Sequence, residues 1–480
     1  MLHRTPHPSC SSLAASKRGV FALTFGSYVL FHASRKSFSA IKGQMADEEW
    51  LHSKLYRLQD QAEMFGLMDT LFMAFYALGL YISGVLGDKY DLKLLLAGGM
   101  WTTAAILLLF GLGALANVHA LEFYAALWAL NGLIQSSGWP ANVAVMGKWF
   151  NRSERGAVLG IWSGNACVGN IAGTALVTLL FLLVAEKVAW KLALVVVAAL
   201  VAGYGLVLYL FLYPDPTEVP YYPEILEDAK PGRAKKLEEE EEEGDGVVVC
   251  EERAGRGIGF VEAWCIPGVL PYSLSYACLK SVNYALFFWI PFYLTVSLQM
   301  GNSEAGSFSM LYDVGQIVGG FVGGMVSDKM GVRSPVVVVM LLFSCITLYF
   351  LDGASYDMTA LLLLTSGFML GGPANLISTA ISADLGTHES IRGNAEALST
   401  VTGIIDGTGS VGAALVQYVV GYLAACHYEP RGCDPKSAGC VQVCSWSPVF
   451  LLLEVGTLLS CVCLAQLLYH ELVVVTSRSR

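Results

Sequence analysis

Gly84-Val85-Leu86-Gly87-Asp88-Lys89-Tyr90-Asp91 and Gly324-Met325-Val326-Ser327-Asp328-Lys329-Met330-Gly331 are one short pattern written twice, 240 residues apart. Each copy closes a long apolar stretch with glycines, an acid and a lysine. Further along, Gly138-Trp139-Pro140 returns as Gly371-Gly372-Pro373 at an offset of 233, and Arg155-Gly156 returns as Arg392-Gly393 at 237. Three echoes in the same order at nearly one offset mark an internal duplication, each copy being one structural unit.

Working outward from these echoes, the apolar segments fall into two sets of six. The first set is about 19–40, 64–87, 94–115, 121–146, 157–184 and 190–212; the second is about 267–296, 308–327, 335–351, 358–383, 395–423 and 448–468. At ~1.5 Å per residue most are long enough to cross a ~30 Å hydrocarbon core. The composition agrees, with 55% hydrophobic and 14% charged residues, against about 25% charged in an average soluble domain. The expected fold is an all-α membrane protein of twelve transmembrane helices in two pseudo-symmetric six-helix halves. Its expected parts are an N-terminus (1–18), a first half (19–213), an acidic linker (214–257), a second half (258–470) and a tail (471–480).

The net charge of −10 is misleading, because six of the acids form the run Glu238 to Glu243 inside the linker. That composition reads as a solvated segment without a core. Residues 1–18 have no apolar stretch before a small-residue cleavage site, so the first apolar stretch is expected to stay as a membrane helix. Orientation follows the basic residues of short loops. Arg4, Lys17, Arg18, Lys89, Lys93, Lys148, Arg152, Arg155, Lys329 and Arg333 fall on one side, which places both termini in the cytoplasm. Lys42, Lys54 and Arg57, read as first-loop residues, and Arg431 and Lys436 in the last loop dilute the bias.

Of twelve cysteines, Cys426, Cys433, Cys440 and Cys444 crowd one polar loop on the opposite side. There disulfides persist, so these four are disulfide candidates. Cys167, Cys278, Cys345, Cys461 and Cys463 lie in apolar segments and read as small hydrophobes.

Charges inside the spans carry the functional expectation, since an ionisable group in hydrocarbon is costly without a role or a partner. Arg35-Lys36 lies sixteen residues after Gly19, which is about 24 Å along a helix. The seventh span contains Lys280. Cations from opposite halves, without an equally rich set of acids, make a site for an anion. An arginine fork matches phosphate oxygens bidentately, and a lysine adds a compact charge. Tyr28 shares a face with Arg35, and Tyr276, Asn283 and Tyr284 share one with Lys280; Trp139 and Asn165 join the substrate-binding candidates. Against this stands snorkelling for Arg35 and a salt bridge to Asp313 or Asp406 for Lys280. Asp69, Asp313 and Asp406 are candidates for coupling, with structural pairing as the alternative. Asp88, Lys89, Asp328 and Lys329 read as a gating latch at helix ends. The spans hold no metal-ligand cluster and no nucleophile–base set, so no enzyme activity, cofactor or metal is expected. The unequal halves offer no ring of filter residues for a channel.

The repeated loop pair resembles the signature of the major facilitator superfamily. Arg35-Lys36, Gly138-Trp139-Pro140 and Arg155-Gly156 resemble its organophosphate:phosphate antiporter branch. His32-Ala33-Ser34-Arg35-Lys36, Tyr276 to Lys280 with Asn283-Tyr284 and Trp289, Ala380 to Gly386 and Asp406 to Gly412 look like the animal sugar phosphate exchangers. The resemblance implies exchange of a phosphorylated sugar for inorganic phosphate by alternating access, often in the endoplasmic reticulum membrane. It implies that Arg35 stands where the branch's first phosphate-binding arginine does. The second such arginine aligns with Asn283, one turn after Lys280. Leu80, and Asn165 with Ala166, stand where the branch carries further basic residues. Two alternatives stay open: another organic or phosphonate-like anion, proton-coupled and lysosomal, or a transporter-like subunit that works with a membrane-protein partner. No nucleic-acid partner is expected.

Overall fold

The computed structural model describes residues 16–53, 60–89, 91–150, 158, 161–219, 260–382, 385, 397–425, 427–429, 441–443 and 445–478. The first half consists of α1 (Lys17–Asp47), α2 (Gln61–Lys89), α3 (Leu92–Leu115), α4 (Leu121–Gln135), α5 (Gly138–Trp149), α6 (Asn165–Leu183) and α7 (Glu186–Phe211). The second comprises α8 (Val269–Phe292), α9 (Asn302–Met330), α10 (Ser334–Leu351), α11 (Tyr356–Asn375), α12 (Ala397–Leu423) and α13 (Ser447–Arg478). The expected fourth span is thus two helices, α4 and α5, broken at Ser136-Ser137. A wider π turn follows α8 at Tyr293–Ser297 and α11 at Leu376–Ile381. One short antiparallel ribbon pairs His427–Glu429 with Val441–Val443.

Local chemistry sets several ends. The Ser16 side chain accepts from the Gly19 amide and starts α1. Asp91 caps α3 through the Lys93 and Leu94 amides. Gly331, with φ 67°, closes α9 in the left-handed region that suits glycine. Glu471 of α13 accepts from the backbone amides of Arg333 and Ser334, both at 2.9 Å, and so caps α10 from another helix.

The duplication read in the sequence reappears in the packing. In the first half α1 packs on α6, α2 on α4 and α3 on α7; in the second, α8 packs on α12, α9 on α11 and α10 on α13. Across the halves α2 meets α12 and α9 meets α6, two contacts that exchange under the same correspondence, and α1 meets α8 on the axis. Large apolar side chains such as Leu182, Phe321, Leu415 and Val462 are exposed on the outside, whereas Arg35, Lys36, Lys42, Asp69 and Asp313 are buried. Apolar-out and charged-in is the reverse of a soluble protein, and fits a bundle solvated by lipid.

Among the described residues, eight helices are long and apolar enough to cross a membrane. Falling short are α1, the broken α4/α5, α8 and α9, which bring Arg35, Gln135, Lys280 and Asp313 inside. These polar side chains are buried against neighbouring helices instead of facing lipid.

One expectation needs correcting. Lys42 is not a loop residue: α1 continues to Asp47, and Lys42 is fully buried in an ion pair with Asp69 of α2. It therefore does not count toward the orientation of the first loop. The helix runs on because the polar run Lys42-Gly43-Gln44 is covered by α2, by α8 with the π turn after it, and by α9 instead of meeting water. Of the expected linker, residues 214–219 are described and hold a single 3-10 turn, Pro216–Glu218. Cys426, Cys433, Cys440 and Cys444 lie outside the described residues, as do the side chains of Asp88 and Lys89.

Candidate functional site

Arg35 projects from the middle of α1 and is fully buried. Its Nε donates to Gln135 Oε1 at the end of α4, at 2.6 Å. The Gln135 amide nitrogen donates in turn to Ser34 Oγ at 2.9 Å and to Asn131 Oδ1 at 3.1 Å. The Tyr76 ring lies 4.6 Å from the guanidinium carbon, with Phe72 at 5.7 Å and Tyr28 at 5.9 Å. Among the described residues no acceptor meets Nη1 or Nη2 in hydrogen-bonding geometry, and no carboxylate forms an ion pair with them. Such a group is costly to bury without a counter-charge.

Lys280 of α8 is different. Its Nζ donates to Asp406 Oδ1 at 2.7 Å and to Ser410 Oγ at 2.9 Å, both on α12. The pairing alternative considered for Lys280 is therefore realised, with Asp406 as the partner. Tyr276 and Tyr284 flank this lysine, their ring centres 5.6 and 5.4 Å from Nζ. Tyr284 also interacts electrostatically with Arg35 of the first half.

Lys36 turns toward the second half and donates to the Phe287 carbonyl at 2.7 Å. That carbonyl is free because its α-helical partner would be the amide of residue 291, and Pro291 has none. Ser39 Oγ lies 3.0 Å from the same oxygen and 2.9 Å from the Phe288 carbonyl, while Lys42 reaches Phe288 O at 3.3 Å. Asn302 of α9 donates to Gln44 at 2.9 Å. These contacts close the halves on each other at the end of the bundle remote from the start of α1.

A second polar chain crosses the middle. His32 Nδ1 lies 3.1 Å from Asn170 Oδ1, and Asn170 Nδ2 donates to Asp313 Oδ1 at 2.7 Å, joining α1 and α6 to α9. Asn283 is spent within the second half, donating to Gln316 at 3.3 Å and accepting from Tyr312 at 2.8 Å. Tyr28 packs on Trp139 at 5.1 Å, and Trp139 packs on Trp162 at 5.2 Å. Asn165 is buried, and among the described residues neither of its side-chain polar atoms has a hydrogen-bond partner. Asp69 is paired with Lys42. At the other end Asp328 pairs with Arg333, and Lys329 is exposed. Among the described residues no group of three or more His, Cys, Asp or Glu side chains is placed to hold a metal ion.

Gln135 and Ser39 were not singled out from sequence. The signal for Gln135 was present, since Gln135-Ser136-Ser137 is a polar run inside an otherwise apolar span.

A duplicated helical bundle with buried charges between its halves is the architecture of a secondary membrane transporter. The chain belongs to the Major Facilitator Superfamily, whose sequence profile matches residues 24–417. Sugar phosphate exchanger 3 of Xenopus laevis is 41% identical over 441 residues, covering 83% of this chain and 85% of that protein. The glucose-6-phosphate exchanger SLC37A2 of Xenopus tropicalis is 34% identical over 484 residues, covering 94% and 92%. Among solved structures, a bacterial homologue of the human lysosomal transporter Spinster, inward-facing and occupied, shares the fold with a TM-score of 0.62 at 14% identity, covering 95% of this chain and 96% of that one.

Proposed function

We propose that this protein exchanges a phosphorylated sugar or related organic phosphate for inorganic phosphate across a membrane by alternating access. The observation that carries the reading is Arg35, buried between the halves with its Nη1–Nη2 edge unspent. A phosphate offers two oxygens at the spacing of that edge. The relatives named as sugar phosphate and glucose-6-phosphate exchangers support the same substrate class. Tyr28, Tyr276, Tyr284, Trp139 and Asn165 supply the walls and hydrogen bonds for the organic part. Lys280 joins the site when phosphate competes with Asp406 for it, and Lys36 when the Phe287 contact opens.

Exchange follows from the same geometry. A carrier that closes empty must desolvate Arg35 with nothing opposite it, at a cost of several kcal/mol, whereas a loaded one brings its own counter-charge. The test is counterflow of labelled phosphate in proteoliposomes loaded with inorganic phosphate or a panel of sugar phosphates. Uptake is expected only with a counter-anion inside, and equal uptake into empty vesicles refutes exchange. We further infer that both termini face the cytoplasm and that the membrane is that of the endoplasmic reticulum, with the lysosome as the alternative. Tags at the two ends, stained after selective permeabilisation, check both statements.

A further inference from the structure

We infer that Gln135 is a positioning residue that fixes which edge of Arg35 meets the phosphate. The inference rests on the exchange reading above and deepens it.

A guanidinium offers two forks: the side-on pair from Nε and one terminal nitrogen, and the end-on pair from Nη1 and Nη2. In this structure Nε is spent on Gln135 at 2.6 Å. The orientation of the Gln135 amide is itself determined. Its nitrogen has acceptors in Ser34 Oγ and Asn131 Oδ1, so its oxygen must be the atom that faces Arg35. Asn131, Gln135, Ser34 and Arg35 are all buried, and direct hydrogen bonds run from α4 to α1. With Nε occupied, only the end-on fork remains, and among the described residues Nη1 and Nη2 have no hydrogen-bond acceptor. Gln135 thus leaves Arg35 its full charge while restricting it to one approach direction. A carboxylate at this position would also hold Nε, but would cancel the charge that attracts the substrate.

The test uses full-length Gln135→Met, close in volume but unable to accept, and Gln135→Glu. Phosphate exchange in proteoliposomes gives KM and Vmax, and calorimetric titration of the detergent-solubilised protein with inorganic phosphate gives affinity without transport. Gln135→Met is expected to raise KM and weaken binding about tenfold, the loss of one hydrogen bond to a charged group, with Vmax within about twofold. In an Arg35→Lys background, which has no Nε to hold, the same change is expected to leave phosphate binding unaltered. A packing role would weaken binding equally in both backgrounds, and that result overturns the inference. So does wild-type affinity in Gln135→Met. Should Gln135→Met fail to fold, Gln135→Glu decides: at least tenfold weaker phosphate binding is expected, and wild-type affinity overturns the inference. Absence of phosphate binding by the wild-type protein overturns the exchange reading and this inference together; binding by the wild type with either adverse variant result overturns this inference alone.

Discussion

Ser39→Ala tests how the remote end of the bundle is held shut. Ser39 Oγ has the Phe287 and Phe288 carbonyls of the opposite half at 3.0 and 2.9 Å. Its single proton serves one of them at a time, so the variant removes one hydrogen bond between halves. Neither carbonyl is orphaned, since Lys36 still reaches Phe287 O and Lys42 still reaches Phe288 O. The loss is therefore the net value of one neutral bond, about 1 kcal/mol, and not the larger penalty of a stranded acceptor. About 1 kcal/mol multiplies the ratio of open to closed forms at that end by roughly five. Nitroxides on Lys187→Cys and Asp357→Cys, exposed positions at the starts of α7 and α11, report the separation by double electron–electron resonance in a background lacking the native cysteines. The long-distance fraction should grow relative to the short by that factor. An unchanged distribution, with the variant folded, would show that these carbonyl contacts do not hold the halves together.

Four further outcomes follow from the same geometry. Arg35→Lys loses the fork while keeping the charge, so KM for phosphate should rise at least tenfold; unimpaired exchange would refute bidentate recognition. Asp406→Asn removes the internal partner of Lys280, so titration should show tighter phosphate binding and the exchange assay a slower turnover; weaker binding would contradict competition between Asp406 and substrate. Gly66→Ala places a Cβ 2.9 Å from the Gly421 Cα and 3.1 Å from the Gln417 carbonyl, backbone atoms that cannot rotate away, and should raise the open fraction in the same spin-label experiment. Lys42→Met strands Asp69 as a buried carboxylate, a loss of about 3–5 kcal/mol, so the thermal midpoint should fall, and adding Asp69→Asn should restore most of it.

The fold was legible because two kinds of signal repeat. Apolar length marks most helices, and the Gly84–Asp91 and Gly324–Gly331 echo marks the duplication that the α2–α12 and α9–α6 contacts embody. Lys42 was misread because a lysine beside glycine and glutamine looks like a loop; only the opposing Asp69, supplied by another helix, makes it tolerable inside. Arg35 and Lys280 stood out as intramembrane cations, yet sequence could not say that one is paired and the other is not. That depends on Asp406 lying within reach across α8 and α12, a fact of helix rotation and not of spacing. The role of Pro291 was hidden for the same reason. A proline frees a carbonyl in any helix, but only the docked α1 shows which donor takes it up.

The uneven pairing of the cations bears directly on coupling. In the closed arrangement Lys42 has Asp69, Lys280 has Asp406, and Lys36 has the Phe287 carbonyl oxygen. Each of these partners belongs to the protein, so none requires substrate in order to be buried. Arg35 alone among them has donor nitrogens, Nη1 and Nη2, that no hydrogen-bond acceptor of the described residues meets. The cost of closing empty is therefore concentrated on one side chain of the first half instead of being spread over the interface. A carrier built with every cation paired internally would close as readily empty as full and would leak its substrate as a uniporter. Leaving one guanidinium without a counter-charge makes the missing charge something only an anion can supply. On the proposed reading, obligatory exchange then requires no separate sensor of occupancy, because substrate phosphate would be the missing half of the ion pair.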